Sequence, residues 1–418
     1  MNKKEKSLLA AVVVGVGVAV FKYFTDRPKK QSIKSLFYLN DFSSISKNFS
    51  KEEIEREILK IYKEEINLDD KFKAILFLTM IEGIESLEKY NQMAQETLEE
   101  YVKQSSKKFL RINKKKKTGR NIYRENFYDL IEATCEPSSL KADIKLGIEE
   151  CLNGNFKKGQ DIFLSSTNSD KNTFVSLVIC YFSDELEKLD KSAHKRHVKN
   201  ALKDDKFLFL KSYIMDKNNM YKEQIDLLNS IEPQNELQEN LRLQHLLINL
   251  IKTSDIENKN VNLVNEMIES FLSKKHETTN TVLNIIGISI EWSIINENID
   301  FVKKISDMYL QGDIDTYVDC RLYVFTYLIV NFVEKLSEKN KQNFNFMHLN
   351  TDKVEILRKG IENNETYYKL YVYLGGETKD ISVYKKALDI CITKNEFINI
   401  MRILLVTETQ NKILQSNK

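Results

Sequence analysis

The sequence predicts an all-α chain of stacked helical hairpins, and three observations predict it. Only 3 prolines and 12 glycines punctuate 418 residues, too few turn-formers for a sheet or a loop-rich fold. A composition of 42% hydrophobic and 30% charged residues belongs to a chain that folds, and its apolar residues fall in stripes at helical spacing. The third observation is one stretch, Leu146 to Ser166, whose pattern recurs along the chain.

That stretch reads as two short amphipathic helices joined at Asn153-Gly154-Asn155. Leu140, Ile144, Gly147, Ile148 and Cys151 share one face of the first, at i, i+4, i+7, i+8 and i+11, and Phe156, Gly159, Ile162, Phe163 and Ser166 one face of the second, at i, i+3, i+6, i+7 and i+10. Gly154 supplies the backbone freedom for the turn, and Gly147 and Gly159 allow close approach of the two helices. Leu-Gly, then Gly, aromatic, small and aromatic at these positions resembles a tetratricopeptide (TPR) repeat. One such unit cannot bury its apolar face alone, so neighbours of the same kind are expected.

The N-terminus opens with Lys3, Lys4 and Lys6, followed by an apolar run from Leu8 to Phe21 that Tyr23 and Phe24 extend. As a helix, residues 7–24 would be about 27 Å long at roughly 1.5 Å per residue, close to a hydrocarbon core of about 30 Å. A single membrane anchor is the leading expectation. A cleaved secretory signal and a buried core helix are the competing ones, the signal weakened by the absence of an A-x-A site. Lys22, Arg27, Lys29, Lys30 and Lys34 after the run outnumber the basic residues before it, so the positive-inside bias keeps the C-terminal region in the cytoplasm.

The expected organisation is a membrane anchor with its basic flank over residues 1–30, an N-terminal helical region over 31–136, and TPR-like repeats over 137–418. In the second part, Ser50-Lys-Glu-Glu53 reads as a capping box opening a helix through Ile54, Ile58 and Ile61. A helix through Phe72, Ile75 and Leu78 follows, then one through Met93, Leu98 and Val102. The basic run from Lys107 to Arg120 reads as a solvated connector, with anionic lipid or nucleic acid as the other readings. Further hairpins are expected at 206–228, at 281–309 and at 367–391, with Tyr221, Phe301 and Tyr384 standing where Phe156 stands in the first. Their separations each hold a pair of units of about 34 residues with insertions. A last helix, Glu396 to Val406, closes the stack.

No P-loop, G-x-G-x-x-G, H-E-x-x-H, G-x-S-x-G or C-x-x-C occurs in the chain, so no enzyme, cofactor or metal is expected. His194 and His197 lie three apart but lack further ligands nearby. Cys135, Cys151, Cys180, Cys320 and Cys391 are scattered and odd in number, which fits reduced, core-filling thiols. A net charge of +2 gives no general attraction to nucleic acid, which is not an expected partner.

Binding remains. In stacked hairpins the first helix of each pair lines the inner, concave face, so polar residues that interrupt those helices are the candidates: Asn284, Glu291, Arg321 and Asn331. A buried Arg321 guanidinium needs a carboxylate; Asp319, Glu291 or the C-terminus of a bound peptide are the choices. Glu291 lines the groove or pairs with a lysine.

Asp41-Phe-Ser-Ser-Ile45, Ile66-Asn-Leu-Asp-Asp70 leading into Lys73-Ala74, Leu152-Asn-Gly-Asn-Phe156, Tyr367-Tyr-Lys-Leu370 and Asn411-Lys-Ile-Leu414 together resemble the arbitrium peptide receptors. These are phage-borne TPR regulators related to the cytoplasmic quorum-sensing receptors of Gram-positive bacteria. The resemblance implies an α-solenoid that holds a short peptide in its concave groove and forms a homodimer through its C-terminal helices. Such receptors begin with a helix-turn-helix DNA-binding domain, and here that place holds the apolar run, so transcription-factor activity is in doubt. The expected function is a membrane-anchored, single-pass TPR-like receptor or adaptor for a short peptide or protein partner. A scaffold at the membrane without a small ligand and a DNA-binding regulator of the arbitrium type are the alternatives.

Overall fold

A computed structural model describes residues 32–65, 67–82, 90, 93, 96–97, 100, 122–133, 140–166, 172–183, 191–203, 207–257, 260–342, 344–391, 396–404 and 407. The expected anchor at 7–24, the basic run at 107–120, Cys135 and Asn411–Leu414 lie outside them. Every regular element among the described residues is helical, and none of those helices is long and apolar enough to cross a membrane. The chain divides into two units, one of residues 1–111 and 395–418, the other of residues 112–394.

The first unit holds α1 (Ile33–Tyr38), α2 (Phe42–Asn48), α3 (Lys51–Glu64) and α4 (Leu68–Glu82). The capping box expected at Ser50 is present: the Glu53 amide donates to Ser50 Oγ (3.3 Å) and the Ser50 amide to Glu53 Oε2 (2.9 Å). Ile54, Ile58 and Ile61 on α3 are buried with Phe37, Phe42, Ile75 and Phe77. Residues 396–404 form a helix with Phe397 and Ile400 buried.

The second unit opens with α5 (Ile122–Glu132) and continues in pairs: α6 (Ala142–Leu152) with α7 (Phe156–Ser165), α8 (Asn172–Tyr181) with α9 (Lys191–Ala201), and α10 (Leu208–Lys217) with α11 (Tyr221–Ser230). Then come α12 (Glu236–Glu257) with α13 (Val261–Phe271), and α14 (Asn280–Ile295) with α15 (Ile299–Tyr309). After a 3₁₀ turn at Ile314–Thr316 follow α16 (Cys320–Val333), the single-turn α17 (Glu338–Lys341), α18 (Lys353–Asn363), α19 (Tyr368–Thr378) and α20 (Ile381–Ile390). All four hairpins read from the sequence fall on such pairs. In the first, Gly154 takes φ +78°, a conformation open to glycine at no steric cost. A Cβ at Gly147 would stand 2.4 Å from the Phe163 ring, and one at Gly159 2.3 Å from Cys151 Sγ. The small residues are there because the helices touch.

First and second helices differ in composition for a physical reason. α13 and α15 bury single stripes, Val264, Ile268 and Phe271 on one and Val302, Ile305 and Ser306 on the other, as surface helices do. α16 buries Cys320 through Tyr327 without a break, as well as Ile329, Val330, Phe332 and Val333, because it is covered on every side. The first helices pack on one another in order, α8 on α10, α10 on α12, α12 on α14 and α14 on α16. This is the layering of an α-solenoid.

α5 crosses that layer. Phe127 is fully buried, with its ring centroid 4.6 Å from that of Tyr181 at the end of α8, while Glu125 lies 3.7 Å from Arg321 on α16. A flat row of five helices at about 9 Å spacing would separate α8 from α16 by about 36 Å, yet α5 reaches both from residues two apart. The first-helix layer therefore curves around α5. The sequence placed this helix in the N-terminal helical region; in the structure it packs among the repeats.

Candidate functional site

Several polar residues on the first helices converge on α5. Asn280, at the start of α14, donates from Nδ2 to Asp129 Oδ2 (2.6 Å) and Asn126 Oδ1 (3.0 Å). Thr281 Oγ1 donates to the same Asp129 oxygen (2.8 Å). One turn on, Asn284 Nδ2 donates to Asn126 Oδ1 (2.8 Å), and its own carbonyl oxygen accepts from Arg321 Nη1 (3.1 Å). Just past the end of α5, the Ala133 carbonyl accepts from Gln238 Nε2 on α12 (2.6 Å). At the other edge Tyr128 donates to Glu149 Oε1 of α6 (2.6 Å), and Arg124 pairs with the same carboxylate.

Arg321 ties this bed together. Only 3% of it is exposed. Asp319 holds the guanidinium in a fork, accepting from Nε (2.9 Å) and Nη2 (2.7 Å), and Nη1 donates to Asn280 Oδ1 (2.6 Å). Asp319 also caps α16, accepting from the Arg321 amide (2.8 Å), so one carboxylate orients both helix and guanidinium. Burial works against the charge on Arg321; the bonds and charge of Asp319 outweigh it and raise the pKa above its ordinary value. Of the carboxylates anticipated for Arg321, Asp319 provides the fork. Glu291 does not reach it and pairs instead with Lys369 (3.5 Å). Glu125 was not anticipated from the sequence.

The four expected residues therefore divide. Asn284 and Arg321 share the bed of α5. Glu291 and Asn331 border a second polar patch on α14, α16, α18 and α19. There Lys353 sits 2.8 Å from Glu334 and 3.5 Å from both Glu377 and Asn331 Oδ1. Tyr327 donates to Glu377 Oε1 (2.7 Å), and its ring packs against Tyr373 at 5.0 Å. Burial and that carboxylate push the Tyr327 phenol well above its ordinary pKa, so it stays a hydrogen-bond donor.

The histidines fill structural positions. His245 is buried with Nδ1 3.0 Å from Ser212 Oγ, His276 stacks on Phe271 at 4.3 Å, and His348 Nε2 is 2.9 Å from the Gly312 carbonyl. His197, expected beside His194 on a helix face, is buried with Nδ1 3.3 Å from Ser176 Oγ. Trp292 donates from Nε1 to Asn265 Oδ1 (3.0 Å). Cys151, Cys180, Cys320 and Cys391 are buried thiols; burial pushes the Cys180 thiol up to about 12. Among the described residues no three His, Cys, Asp or Glu side chains are grouped to hold a metal ion.

The α5 bed has the chemistry of helix-in-groove recognition. Phe127, Leu130 and Ile131 supply buried apolar anchors at i, i+3 and i+4, and Glu125, Asn126 and Asp129 meet polar side chains along the edge. Compared with known proteins, the chain matches no protein-family model and no curated relative.

Proposed function

We propose that this chain is a TPR-like binding protein, tethered to a membrane through residues 7–24, whose first-helix face takes a short peptide or a segment of a protein partner. The carrying observation is the bed of α5. Arg321, Asn280, Thr281, Asn284 and Gln238 hold a short helix by its polar edge, and apolar anchors enter between the repeats. A face that holds one helix in this way has the donors, the apolar slots and the curvature to hold a like segment in its place. The likeness to the arbitrium receptors belongs to the same proposal, and so does a cytoplasmic position of the repeats.

The test is selection of random heptapeptides on the detergent-solubilised full chain, followed by titration of the selected peptides. Saturable binding that weakens at least tenfold in Asn284→Ala supports the reading, and ligand binding stabilises the fold by RT ln(1 + [L]/Kd). A chain that selects no peptide yet captures one specific protein from membranes is a scaffold. Loss of residues 40–418 to protease applied outside intact cells would refute the cytoplasmic orientation. Release of the full chain into the soluble fraction after lysis would refute the tether.

A further inference from the structure

The bed of α5 is incompletely filled. A cavity of about 150 Å³ lies between α5, α8, α10, α12 and α14, walled by Asn126, Asp129, Tyr181, Tyr213, Asp216 and Gln244 among others. A cavity of about that volume has room for a benzene-sized guest, which is one side chain or one small amine and not a peptide backbone.

Several of the groups on its polar lining are already engaged. Asn284 Nδ2 is committed to Asn126 and, at 3.5 Å, to Gln244 Oε1. Gln224 Nε2 donates to the Ser212 carbonyl (3.0 Å). Burial pushes the His245 imidazole down to about 4, so it carries no charge at neutral pH. Two carboxylates, Asp216 and Asp129, also line it. Asp216 faces Lys252, with both oxygens accepting from Nζ, one of them at 2.7 Å. Lys217 donates to the Tyr181 carbonyl (2.9 Å) and stands 5.8 and 5.1 Å from the Tyr181 and Tyr213 ring centroids. Arg321, the cation of the neighbouring bed, is bound by Asp319 and Glu125. Asp129 differs from all of these. Its Oδ2 takes both hydrogen bonds, each from a neutral donor, Asn280 or Thr281, and no ion pair among the described residues includes it. A half-buried carboxylate without a counter-ion, at the wall of a cavity with room for one guest, is complementary to a cation.

We propose that this cavity is a site for one alkylammonium or alkylguanidinium group, with its charge on Asp129 and its alkyl stem against Tyr181 and Tyr213. The inference deepens the reading of the first-helix face as a binding surface. It rests on that reading only for the source of the group, which is either a lysine or arginine side chain of a bound peptide or a free small amine.

The experiment is isothermal titration of the full chain with n-butylamine, n-propylguanidine and uncharged n-butanol. A second arm uses capped Ala-Ala-Lys-Ala-Ala against the same peptide with norleucine. The expected result is saturable binding of the charged probes at least tenfold tighter than n-butanol. Asp129→Asn, which keeps the accepting oxygen for Asn280 and Thr281, is expected to weaken the amines at least tenfold and leave n-butanol unchanged. Tighter binding of the lysine peptide than of butylamine identifies a peptide side chain as the source, and the reverse identifies a free amine. Amine binding without a preference for lysine over norleucine leaves the cation site standing and counts against the peptide reading alone. Equal binding of butylamine and butanol, or absence of binding by both amines and the lysine peptide, overturns the proposal. Unchanged amine affinity in Asp129→Asn overturns it as well, and the amine–alcohol comparison decides without any variant.

Discussion

Replacing Arg321 by methionine keeps most of the side-chain volume and removes the charge. The structure assigns that charge four close partners: two Asp319 oxygens at 2.9 and 2.7 Å, Asn280 Oδ1 at 2.6 Å and Asn284 Oδ1 at 3.1 Å. Glu125 at 3.7 Å adds a longer-range attraction. Removing one partner of a buried pair typically costs about 3–5 kcal/mol, because the other charge is left uncompensated. The Asp319 and Glu125 side chains keep 22% and 33% of their exposure, so water relieves part of that penalty. The expected loss is about 2–4 kcal/mol. Arg321→Lys retains the charge without the planar fork and should fall in between. The assay is urea unfolding of the full chain followed by fluorescence of its one tryptophan, Trp292, which is buried on α14, the helix that carries Asn280 and Asn284. A double-mutant cycle with Glu125→Gln isolates the link to α5 and should return a coupling of about 0.5–1 kcal/mol. If Arg321→Met unfolds at the wild-type urea concentration, the guanidinium does not hold the bed, and the reasoning from burial and partner count fails.

Two further outcomes follow from the same geometry. His245 is held neutral by burial, with its pKa pushed down to about 4; the unfolded chain takes up a proton there near pH 6.5 and the folded chain does not. Its contribution is therefore fully present above about pH 6.5 and is lost as pH falls towards 4, by about 3 kcal/mol in all. Unfolding midpoints measured between pH 7 and 4 should show this loss, and His245→Asn should flatten the dependence. In the first hairpin, a Cβ at position 159 would lie 2.3 Å from Cys151 Sγ and 2.8 Å from the Gly147 carbonyl. Gly159→Ala should thus destabilise by about 1–3 kcal/mol; Cys151→Ala in the same chain should recover only part of that, since the backbone contact remains. A thermal melt of the single and double variants reads both effects.

The hairpins were legible because their determinants are local. Gly147, Gly154 and Gly159 mark the turn and the close approach within one short stretch, and Ser50 with Glu53 marks a helix start within four residues. Asp319 was legible as the partner of Arg321 for the same reason, standing two residues away. Glu125, Asn126 and Asp129 were not. Their partners at Asn280, Thr281, Asn284 and Arg321 lie more than a hundred residues along the chain, and no local pattern distinguishes a helix that lies across the repeats from one that precedes them. Phe127, Leu130 and Ile131 stand at helical spacing, and that spacing carries no information on what buries them. The division of the units was hidden likewise, since residues 395–418 group with residues 1–111 through contacts that no periodicity encodes.

The helix lying across the repeats changes the arithmetic of any visitor to that face. A segment attached to its own host rebinds at an effective concentration on the order of millimolar, so a newcomer needing the same slots must first displace a resident that never diffuses away. Its apparent dissociation constant rises by the factor by which the docked form outweighs the undocked one. Occupancy of that trough would therefore be governed as much by whatever loosens Phe127 and Ile131 as by the newcomer's own fit.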